Sequence, residues 1–382
     1  MDILHDRCAG LDVHKKTVVA CVRSVDDAGA VRERVRTFAT ATADLLELAD
    51  WLAESGARHV AMESTGVYWK PVWHLLEGRF EPMLVNAAYI KRVPGRKTDV
   101  KDAQWIARLL AHGLLAPSLV PPEPVRELRD LTRQRAQLVA DKAAVANRIQ
   151  KVLEDANIKL GDVAADVLGV SGRAMIAALI RGESDPAKLA DEARGSLRRK
   201  VIPLRKALEG RVTEHHRFLL GALMDRLRQT EDLIGRYTAR IEEAMRPFAE
   251  AEARLMTIPG VGRQAAEVIV AEVGADMSRF PTAGHLASWA GMSPGNDQSA
   301  GVRRSGRTTK GSRWLRATLV QVAWAASHTK GTTFGATYRR WAKRMGKKKA
   351  LIAVGHKVLV VAYHLLKDAT DYRERLRPGQ AA

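Results

Sequence analysis

Hydrophobic and polar positions follow a strand-like pattern early in the chain and a helical pattern later. Short apolar or alternating runs predict strands at Arg7–Val13, Thr17–Arg23, Val31–Phe38, His59–Glu63 and Glu81–Asn86. Apolar residues at helical spacing predict helices at Ala43–Ser55, Thr65–Gly78 and Thr98–His112. Three strands of antiparallel type, followed by alternating strands and helices, predict an α/β domain built on a mixed sheet.

Closely spaced prolines end this first part, because proline cannot continue a helix; they stand at positions 117, 121, 122 and 124. Beyond them, heptad-like apolar spacing predicts two long helices, Pro124–Ala156 and Leu204–Met245, separated by a small helical insert. Such helices form either an antiparallel hairpin or an oligomerising coiled coil. The chain after Leu255 is helical and basic. We therefore expect three domains, at residues 1–116, 117–250 and 251–382.

Charge is distributed unevenly along the chain. The 62 Lys and Arg residues outnumber the 43 Asp and Glu residues, which gives a net charge of +19. Residues 256–382 carry 21 of these cations but only 7 of the carboxylates, and no acidic residue lies between Gln298 and Lys367. A polyanionic partner would relieve the repulsion within this segment, so we expect the segment to contact nucleic acid.

Several classes of protein are disfavoured. The chain has only Cys8 and Cys21, which excludes a disulfide-rich scaffold and a cysteine-based zinc site. The apolar stretch Leu351–Leu366 contains His356 and Lys357, and no uninterrupted run approaches the ~20 residues of a membrane span. The first residues lack the order of a signal peptide, basic and then apolar. We expect a cytoplasmic protein that makes no membrane contact.

Four carboxylates in the α/β part occupy positions typical of a metal site. Asp12 lies near the end of the first predicted strand, Glu63 ends the fourth, and Asp99 and Asp102 lie three apart near the start of a helix. Taken singly, Asp12 is compatible with a turn and Asp99 with a helix cap. As an ordered set, they predict a Mg²⁺ site on an RNase H-like sheet, because Mg²⁺ prefers carboxylate oxygens. Such a site can catalyse phosphoryl transfer.

The segment Ile258-Pro-Gly-Val-Gly262 is typical of a tight turn between two helices. Gly260 and Gly262 permit the turn, and the helix that begins at Arg263 presents backbone N–H groups that can bind a phosphate without reading sequence. The pattern resembles the helix-hairpin-helix motif of DNA-repair and recombination proteins. A dinucleotide-binding loop is disfavoured because no strand precedes it and a third glycine is absent. A purely structural turn remains an alternative.

A glycine-rich loop that follows carries serines among cations. Ser293, Ser299, Ser305 and Ser312 all lie within or beside it. The cations that accompany them are Arg303, Arg304, Arg307, Lys310 and Arg313. Such a loop either binds a phosphate backbone or presents a serine hydroxyl as the nucleophile of a phosphoryl transfer.

The motifs resemble those of the transposases of the insertion sequence 110 and 1111 group. The matching segments, in family order, are Gly-Leu-Asp12-Val-His-Lys, Met-Glu63-Ser-Thr-Gly-Val-Tyr-Trp, Lys-Thr-Asp99-Val-Lys-Asp102-Ala, Ile-Pro-Gly-Val-Gly262 and Gln-Ser299-Ala-Gly with Lys310-Gly. Two details depart from the family pattern. Ala300 separates Ser299 from the glycine, and Ser312 follows Lys310-Gly where an Asn is common.

This resemblance implies a RuvC-like N-terminal domain, a coiled-coil region and a helical C-terminal transposase domain. It places Asp12, Glu63, Asp99 and Asp102 on Mg²⁺ and makes Ser299, rather than Ser305, the nucleophile. It further implies site-specific DNA recombination guided by a bridge RNA that pairs with donor and target DNA. A site shared between subunits, in a homodimer that assembles to a homotetramer, is part of the same expectation.

Two other functions are compatible with the residues. A RuvC-type metal-dependent nuclease would hydrolyse DNA with water, and Ser299 would only position the phosphate. A nucleic-acid-binding scaffold with a decayed acidic set would have no activity, although all four carboxylates are present. Target sequence cannot be read from the chain if specificity resides in an RNA.

Overall fold

The computed structural model describes residues 3–26, 28–63, 66–86, 99–294, 297–299, 302–305, 308 and 310–374. The chain divides into two compact units, Met1–Val120 and Pro121–Ala382. The elements of the first unit are β1 (Arg7–Val13), β2 (Thr17–Val25), β3 (Val31–Ala39), α1 (Thr42–Glu54), β4 (His59–Glu63), α2 (Trp69–Leu76), β5 (Glu81–Val85) and α3 (Asp99–Ala111). The three-domain division drawn from the sequence remains a prediction.

The first unit is built on a mixed sheet of five strands, in the order β3-β2-β1-β4-β5. The three strands β1, β2 and β3 pair antiparallel, whereas β4 runs parallel to β1 and to β5. The mixed sheet expected from the sequence is therefore confirmed. Its arrangement is consistent with an RNase H-like fold.

Strand alternation sends successive side chains of β1 to opposite faces of the sheet. Ala9, Leu11 and Val13 belong to a core with buried residues of α1 and α2. The other face receives α3, because Cys8 belongs to a cluster with residues of that helix. Asp12 lies an even number of residues from Cys8, so it shares the face that α3 covers.

The predicted helix Thr65–Gly78 proves shorter in the structure. Its described part begins at Trp69 and ends at Leu76. Gly66 and Gly78 flank it, and both adopt positive φ, at 57° and 91°. That backbone conformation cannot continue a right-handed helix, so the apolar periodicity overestimated its length.

In its described residues, the second unit consists of helices and one short hairpin. Its elements are α4 (Glu123–Asp155), α5 (Leu160–Val163), α6 (Val170–Ile180), α7 (Pro186–Asp191), α8 (Val201–Ala207), α9 (Glu214–Met245), α10 (Ala249–Met256), α11 (Arg263–Val273), α12 (Ala283–Trp289), β6 (Asp297–Ser299), β7 (Val302–Ser305), α13 (Arg313–His328), α14 (Thr333–Met345) and α15 (Lys347–Lys367). Short 3₁₀ turns cover Gly195–Lys200, Arg246–Phe248 and Met277–Arg279.

The two long helices α4 and α9 pack antiparallel. Asp155 at the end of α4 accepts a 2.9 Å hydrogen bond from His216 Nε2 in the first turn of α9, and Lys142 pairs with Glu231 at 2.8 Å further along. The helices α5 to α8 pack with them in one apolar cluster, which confirms that the segment between them is a helical insert.

The predicted helix Leu204–Met245 is wrong at its N-terminal end. The structure divides it into α8 and α9. Between them the chain passes close to the end of α4, where the Arg211 N–H donates to the Ala156 carbonyl at 2.8 Å. Thr213 then starts a new helix through a capping box with His216. Tertiary contacts and this cap override the apolar periodicity.

The helix α15 is long and apolar enough to cross a membrane by length and composition. Within it, His356 and Lys357 still interrupt the apolar sequence, so no uninterrupted stretch of about 20 apolar residues occurs. In the folded unit α15 packs against α13 and α14, and it buries Val354, Val358, Leu359 and Ala362. It thus contributes a core face to this fold.

Candidate active site

The close contact between β1 and α3 positions the acidic residues of the first unit. A Cβ atom at Gly10 would overlap the backbone of Ala103 and Ala107 in α3. Only glycine allows this approach, so Gly10 fixes the distance between helix and strand. The Cys8 thiol donates a 3.4 Å hydrogen bond to the Ala107 carbonyl beside it. The Gly-Leu-Asp segment thus positions α3 as well as supplying a carboxylate.

Three of the four predicted carboxylates come together at this contact. Leu11 and Met62 are register partners in the parallel pair β1–β4, so Asp12 and Glu63 follow them at the same edge of adjacent strands. Asp102 lies in the first turn of α3, next to Ala103, which packs with Val19 and Cys21 of the sheet. Both Glu63 and Asp102 act electrostatically on Asp12. The backbone of Asp99 begins α3, but its side chain lies outside the described part of the chain.

Asp12 is 6% exposed, and its environment opposes its ionisation. Burial raises the pKa of Asp12, and the negative charges of Glu63 and Asp102 add to the rise. His14 acts in the opposite direction, through a 3.1 Å contact between its Nε2 and Asp12 Oδ2. The sequence did not reveal this role of His14, although His14 lies two residues from Asp12, directly after the end of β1.

The described side chains contain no group of three or more metal-ligating residues at binding distance. The acidic edge of β1 and β4 nevertheless has the donor chemistry of a divalent-cation site, because Asp12 and Glu63 offer carboxylate oxygens and Asp102 acts on Asp12.

Ser299 and Ser305 lie on the small hairpin of the second unit. Ser299 is the last residue of β6 and pairs with Val302, so it stands next to the turn. Ser305 pairs with Asp297 at the other end. Arg303 and Arg304 lie on β7, whereas Arg307 falls outside the described residues. Backbone register alone brings the predicted serine and these two arginines into one hairpin.

A buried carboxylate anchors the end of the serine loop. Ser312 caps α13 and also donates a 2.9 Å hydrogen bond to Glu272 of α11. Arg133 of α4 donates two hydrogen bonds to the same carboxylate, at 2.7 and 2.9 Å. Glu272 is 1% exposed. Ser312 is therefore engaged as a structural residue, and the contacts of Glu272 across α4, α11 and α13 were not visible from the sequence.

A tight turn joins α10 to α11, as Gly260 and Gly262 predicted. Gly260 has a φ of 88°, and a Cβ atom there would lie 2.7 Å from the Ala326 nitrogen of α13. Gly262 precedes α11 without a side-chain cap, which leaves the first N–H groups of the helix without a capping side chain. Arg263 contacts Glu242 at 3.4 Å and Glu252 at 3.7 Å.

A cavity of about 830 Å³ adjoins this turn. Its walls come from α4, from the start of α11 and from α13, and they include Arg135, Gln264 and Trp314. Arg135 pairs with the buried Glu267 at 2.6 Å. The cations Lys310 and Arg313 are exposed, and the Arg313 guanidinium stacks over the Trp314 ring at 4.5 Å.

Two family models match the chain. A transposase model of the DEDD type found in IS110 elements matches residues 9–158. The model of the transposase IS116/IS110/IS902 family matches residues 252–339. The first covers the acidic edge, and the second covers the α10–α11 turn and the serine hairpin.

Relatives from several bacteria match as well. An uncharacterized 43.6 kDa protein of insertion element IS110 from Streptomyces coelicolor is 28% identical over 315 residues, which is 75% of each chain. An uncharacterized 44.8 kDa protein of insertion element IS116 from Streptomyces clavuligerus is 29% identical over 294 residues, 71% of each chain. A pilin gene-inverting protein from Moraxella bovis is 31% identical over 130 residues, 32% of this chain and 38% of that protein.

The acidic edge on a mixed sheet and the match to a DEDD model define a DNA transposase. The chain belongs to the IS116/IS110/IS902 family of transposases, which confirms the resemblance drawn from its motifs. Membership implies an enzyme that cuts and rejoins DNA, and the DEDD domain implies the use of a divalent metal.

Proposed function

We propose that the protein is a site-specific DNA recombinase that excises and inserts a mobile element, with Ser299 as its nucleophile. The observation that carries the proposal is the convergence of Asp12, Glu63 and Asp102 at one edge of the sheet. The serine hairpin supports it, because Ser299 lies within the region that matches the family's second model.

In the proposed reaction, the Ser299 hydroxyl attacks a phosphorus atom of the DNA backbone. The Oγ–P bond forms while the bond from phosphorus to one sugar oxygen breaks, and the serine proton ends on that released oxygen. The strand is then held as a phosphoserine ester, which conserves the energy of the broken bond. Attack by another sugar hydroxyl reverses the step and rejoins DNA without a nucleotide cofactor.

Asp12, Glu63, Asp99 and Asp102 would hold Mg²⁺. Their hard oxygen donors suit this ion, and the raised pKa of Asp12 indicates a site where a cation would be stabilising. When bound, Mg²⁺ stabilises negative charge on the phosphate oxygens during transfer. Gly10 acts indirectly, because it holds α3 close enough for Asp102 to reach the same edge as Asp12.

The basic residues of the second unit would contact nucleic acid. Phosphates would bind the α10–α11 turn, in the manner of a helix-hairpin-helix motif, and the serine loop; the residues concerned are Gly260, Gly262, Arg263, Arg303, Arg304, Arg307, Lys310 and Arg313. A bridge RNA would select donor and target DNA by base pairing. Homodimers that assemble to a homotetramer would bring the two DNA partners together. The family models support the contact with DNA. The bridge RNA and the homotetramer rest on the resemblance of the motifs to the insertion sequence 110 and 1111 group.

The covalent intermediate gives a direct test. Purified protein is incubated with Mg²⁺, the RNA from the element's end and supercoiled DNA that carries the element junction, and the reaction is quenched in denaturant. We expect a protein–DNA adduct that Ser299→Ala abolishes. Ser305→Ala is the matched control, because it removes a hydroxyl from the same hairpin, and it should retain the adduct.

The hydrolytic alternative predicts a different result. Cleaved DNA without an adduct, unchanged by Ser299→Ala and abolished by Asp12→Ala, would show that water is the nucleophile and would overturn the serine mechanism. Loss of the adduct in Ser305→Ala but not in Ser299→Ala would assign the nucleophile to the other strand of the hairpin and would equally contradict the proposal.

A further inference from the structure

Seven cations meet where α14 ends and α15 begins, and none of them has a role in the reaction above. Four belong to the last turns of α14 and three to the first turn of α15, and all seven are exposed. We call this set the basic corner: Arg339, Arg340, Lys343, Arg344, Lys347, Lys348 and Lys349.

The basic corner lacks countercharge within the described part of the chain. None of its side chains forms an ion pair or a hydrogen bond there. The next carboxylates in the sequence, Asp368, Asp371 and Glu374, follow the distant end of α15, and a helix of 21 residues measures about 30 Å. Salt screens exposed charges beyond about 8 Å, so these carboxylates do not neutralise the corner.

The contact of Glu374 confirms that these carboxylates lie at the opposite end of the helix pair. Glu374 accepts a 2.8 Å hydrogen bond from the Thr333 N–H, at the start of α14. The basic corner is at the end of α14. The carboxylates that follow α15 therefore lie at one end of the helix pair, and the basic corner lies at the other.

The three lysines of α15 occupy positions that the helix itself disfavours. The N-terminus of a helix carries partial positive charge, which makes cations in the first turn unfavourable. Lys347, Lys348 and Lys349 fill that turn, and no acidic residue accompanies them. Such an arrangement lowers the stability of the free protein and becomes favourable when an anion lies against it.

The four cations of α14 form a compact face. Arg339 and Lys343 lie four residues apart, as do Arg340 and Arg344, so each pair occupies neighbouring positions on the helix surface. At 3.6 residues per turn, the four span an arc of about 140°. The planar guanidinium groups match the oxygens of a phosphate diester, and the lysines add point charges beside them.

We propose that the basic corner binds the phosphodiester backbone of a nucleic-acid duplex without reading its sequence. The contact would be additional to the α10–α11 turn and the serine hairpin, and it would fix the position of the duplex on the second unit. The inference rests on the proposed function only for the nature of the polyanion, because the seven side chains form no ion pair with any residue that the structure describes.

The affinity of the protein for short duplexes, measured over a range of salt concentrations, tests whether the basic corner binds nucleic acid. The full-length protein carries Lys347→Gln, Lys348→Gln and Lys349→Gln together, and the probes are a duplex DNA and a duplex RNA of unrelated sequence, in EDTA so that no strand is cut. We expect at least about tenfold weaker binding, and a slope of log affinity against log salt that is smaller by about 2 to 3. The midpoint of thermal unfolding without nucleic acid should rise.

Two matched variants distinguish the effect of the basic corner on binding from the effect of the protein's net charge. Lys151→Gln, Lys188→Gln and Lys206→Gln together remove the same charge from other exposed positions of the second unit, and should leave the salt slope unchanged. Lys347→Arg, Lys348→Arg and Lys349→Arg together retain the charge and should retain the slope. A decrease with the DNA probe, the RNA probe or both supports the proposal and identifies the duplex that is bound.

Equal losses in the two glutamine variants would mean that only net charge matters, and would overturn the proposal. An unchanged salt slope in the corner variant would do the same. Because binding is measured without cleavage, failure of the serine mechanism, seen as an adduct that survives in Ser299→Ala, leaves this result unaffected.

Discussion

The fold opposes the ionisation of Asp12, and the proposed reaction requires the same carboxylate. Burial raises the pKa of Asp12, and Glu63 and Asp102 reinforce the effect. A group whose pKa is raised by folding contributes stability when it is protonated, and that contribution is lost as the pH rises through the folded pKa. Without a cation, the acidic edge therefore reduces the stability of the first unit at neutral pH.

We predict that Asp12→Asn raises the midpoint of thermal unfolding in EDTA at pH 7 and abolishes DNA cleavage. The difference from the natural protein should shrink as the pH is lowered through the folded pKa of Asp12, because the carboxyl group is then protonated and its penalty disappears. Mg²⁺ should raise the midpoint of the natural protein but not of the variant. Asp50→Asn, which removes an exposed partner of Arg79, is the control and should have little effect. A lower midpoint for Asp12→Asn at pH 7 would contradict this account.

Glu272 differs from Asp12 because its charge is compensated. It is buried between Arg133 and Ser312, and Arg129 donates a 2.7 Å hydrogen bond to its backbone carbonyl. Removing one partner of a buried pair leaves the other charge without compensation, which is strongly destabilising.

We predict that Glu272→Ala lowers the free energy of unfolding by about 3 kcal/mol or more. Urea titration of the full-length protein measures it. Glu250→Ala serves as the control, because Glu250 also pairs with an arginine in a helix but is 85% exposed, and its loss should cost less than about 1 kcal/mol. Similar losses for the two variants would show that Glu272 is not an anchor.

Sequence reasoning reaches some of these residues and not others. Asp12 and Glu63 were accessible because Asp12 lies near the end of one predicted strand and Glu63 ends another, and parallel strand ends share an edge. Glu272 was not, because its partner Arg133 lies 139 residues away and no local pattern signals the contact. Gly10 belongs to the Gly-Leu-Asp motif, but the sequence does not reveal what the glycine does. Its role depends on how closely α3 approaches, which is a tertiary property.

At the scale of elements, the contact between α3 and β1 controls the geometry of the acidic edge. Gly10 leaves no room for a side chain, and Ala103 and Ala107 are the small residues that face it. A change of one methyl group at this contact would move the helix and, with it, Asp102.

We predict that Gly10→Ala lowers the free energy of unfolding by about 1 to 3 kcal/mol, because overpacking displaces α3. The stabilisation of the protein by Mg²⁺ should decrease in parallel. Gly235→Ala is a control of opposite sign, since nothing lies within 4 Å of its Cβ position in α9 and alanine favours a helix by about 1 kcal/mol. If Mg²⁺ stabilises Gly10→Ala as much as the natural protein, the position of α3 does not affect Mg²⁺ binding, and the prediction is wrong.

Apolar periodicity in the sequence predicts the ends of some helices and strands correctly and misses others. The strand β4 was predicted with its observed ends, and α3 to within one residue at each end, because apolar spacing and flanking turns agree there. The break between α8 and α9 was missed, since apolar residues continue through Leu208. Its cause is the cap at Thr213 together with the bond from Arg211 to Ala156, and the second of these is invisible in local sequence.

At the scale of the whole molecule, the two units differ sharply in charge. Residues 1–120 contain 16 Lys and Arg against 15 Asp and Glu, whereas residues 121–382 contain 46 against 28. The first unit thus combines an acidic edge with almost no net charge, and the second supplies the positive potential that attracts nucleic acid. The charge counts required only the sequence, but the division at Val120 required the structure.

We predict that a fragment of residues 1–120 folds on its own and unfolds in one cooperative transition, because it has its own sheet and core. It should bind duplex DNA at least about tenfold more weakly than the full chain at low salt, with a much smaller salt slope. Fluorescence anisotropy and thermal unfolding provide both readouts. DNA affinity equal to that of the full chain would contradict the assignment of the electrostatic footprint to the second unit.

The contact of α3 with the sheet also gives the protein an internal reporter. Cys8 and Cys21 are its only thiols, both are buried on the face that α3 covers, and burial raises their pKa values to about 11 and 12. A thiol reagent can therefore react only when α3 moves away from the sheet. The rate of thiol labelling therefore measures how often α3 moves away from the acidic edge. This rate should decrease when Mg²⁺ binds and increase in Gly10→Ala.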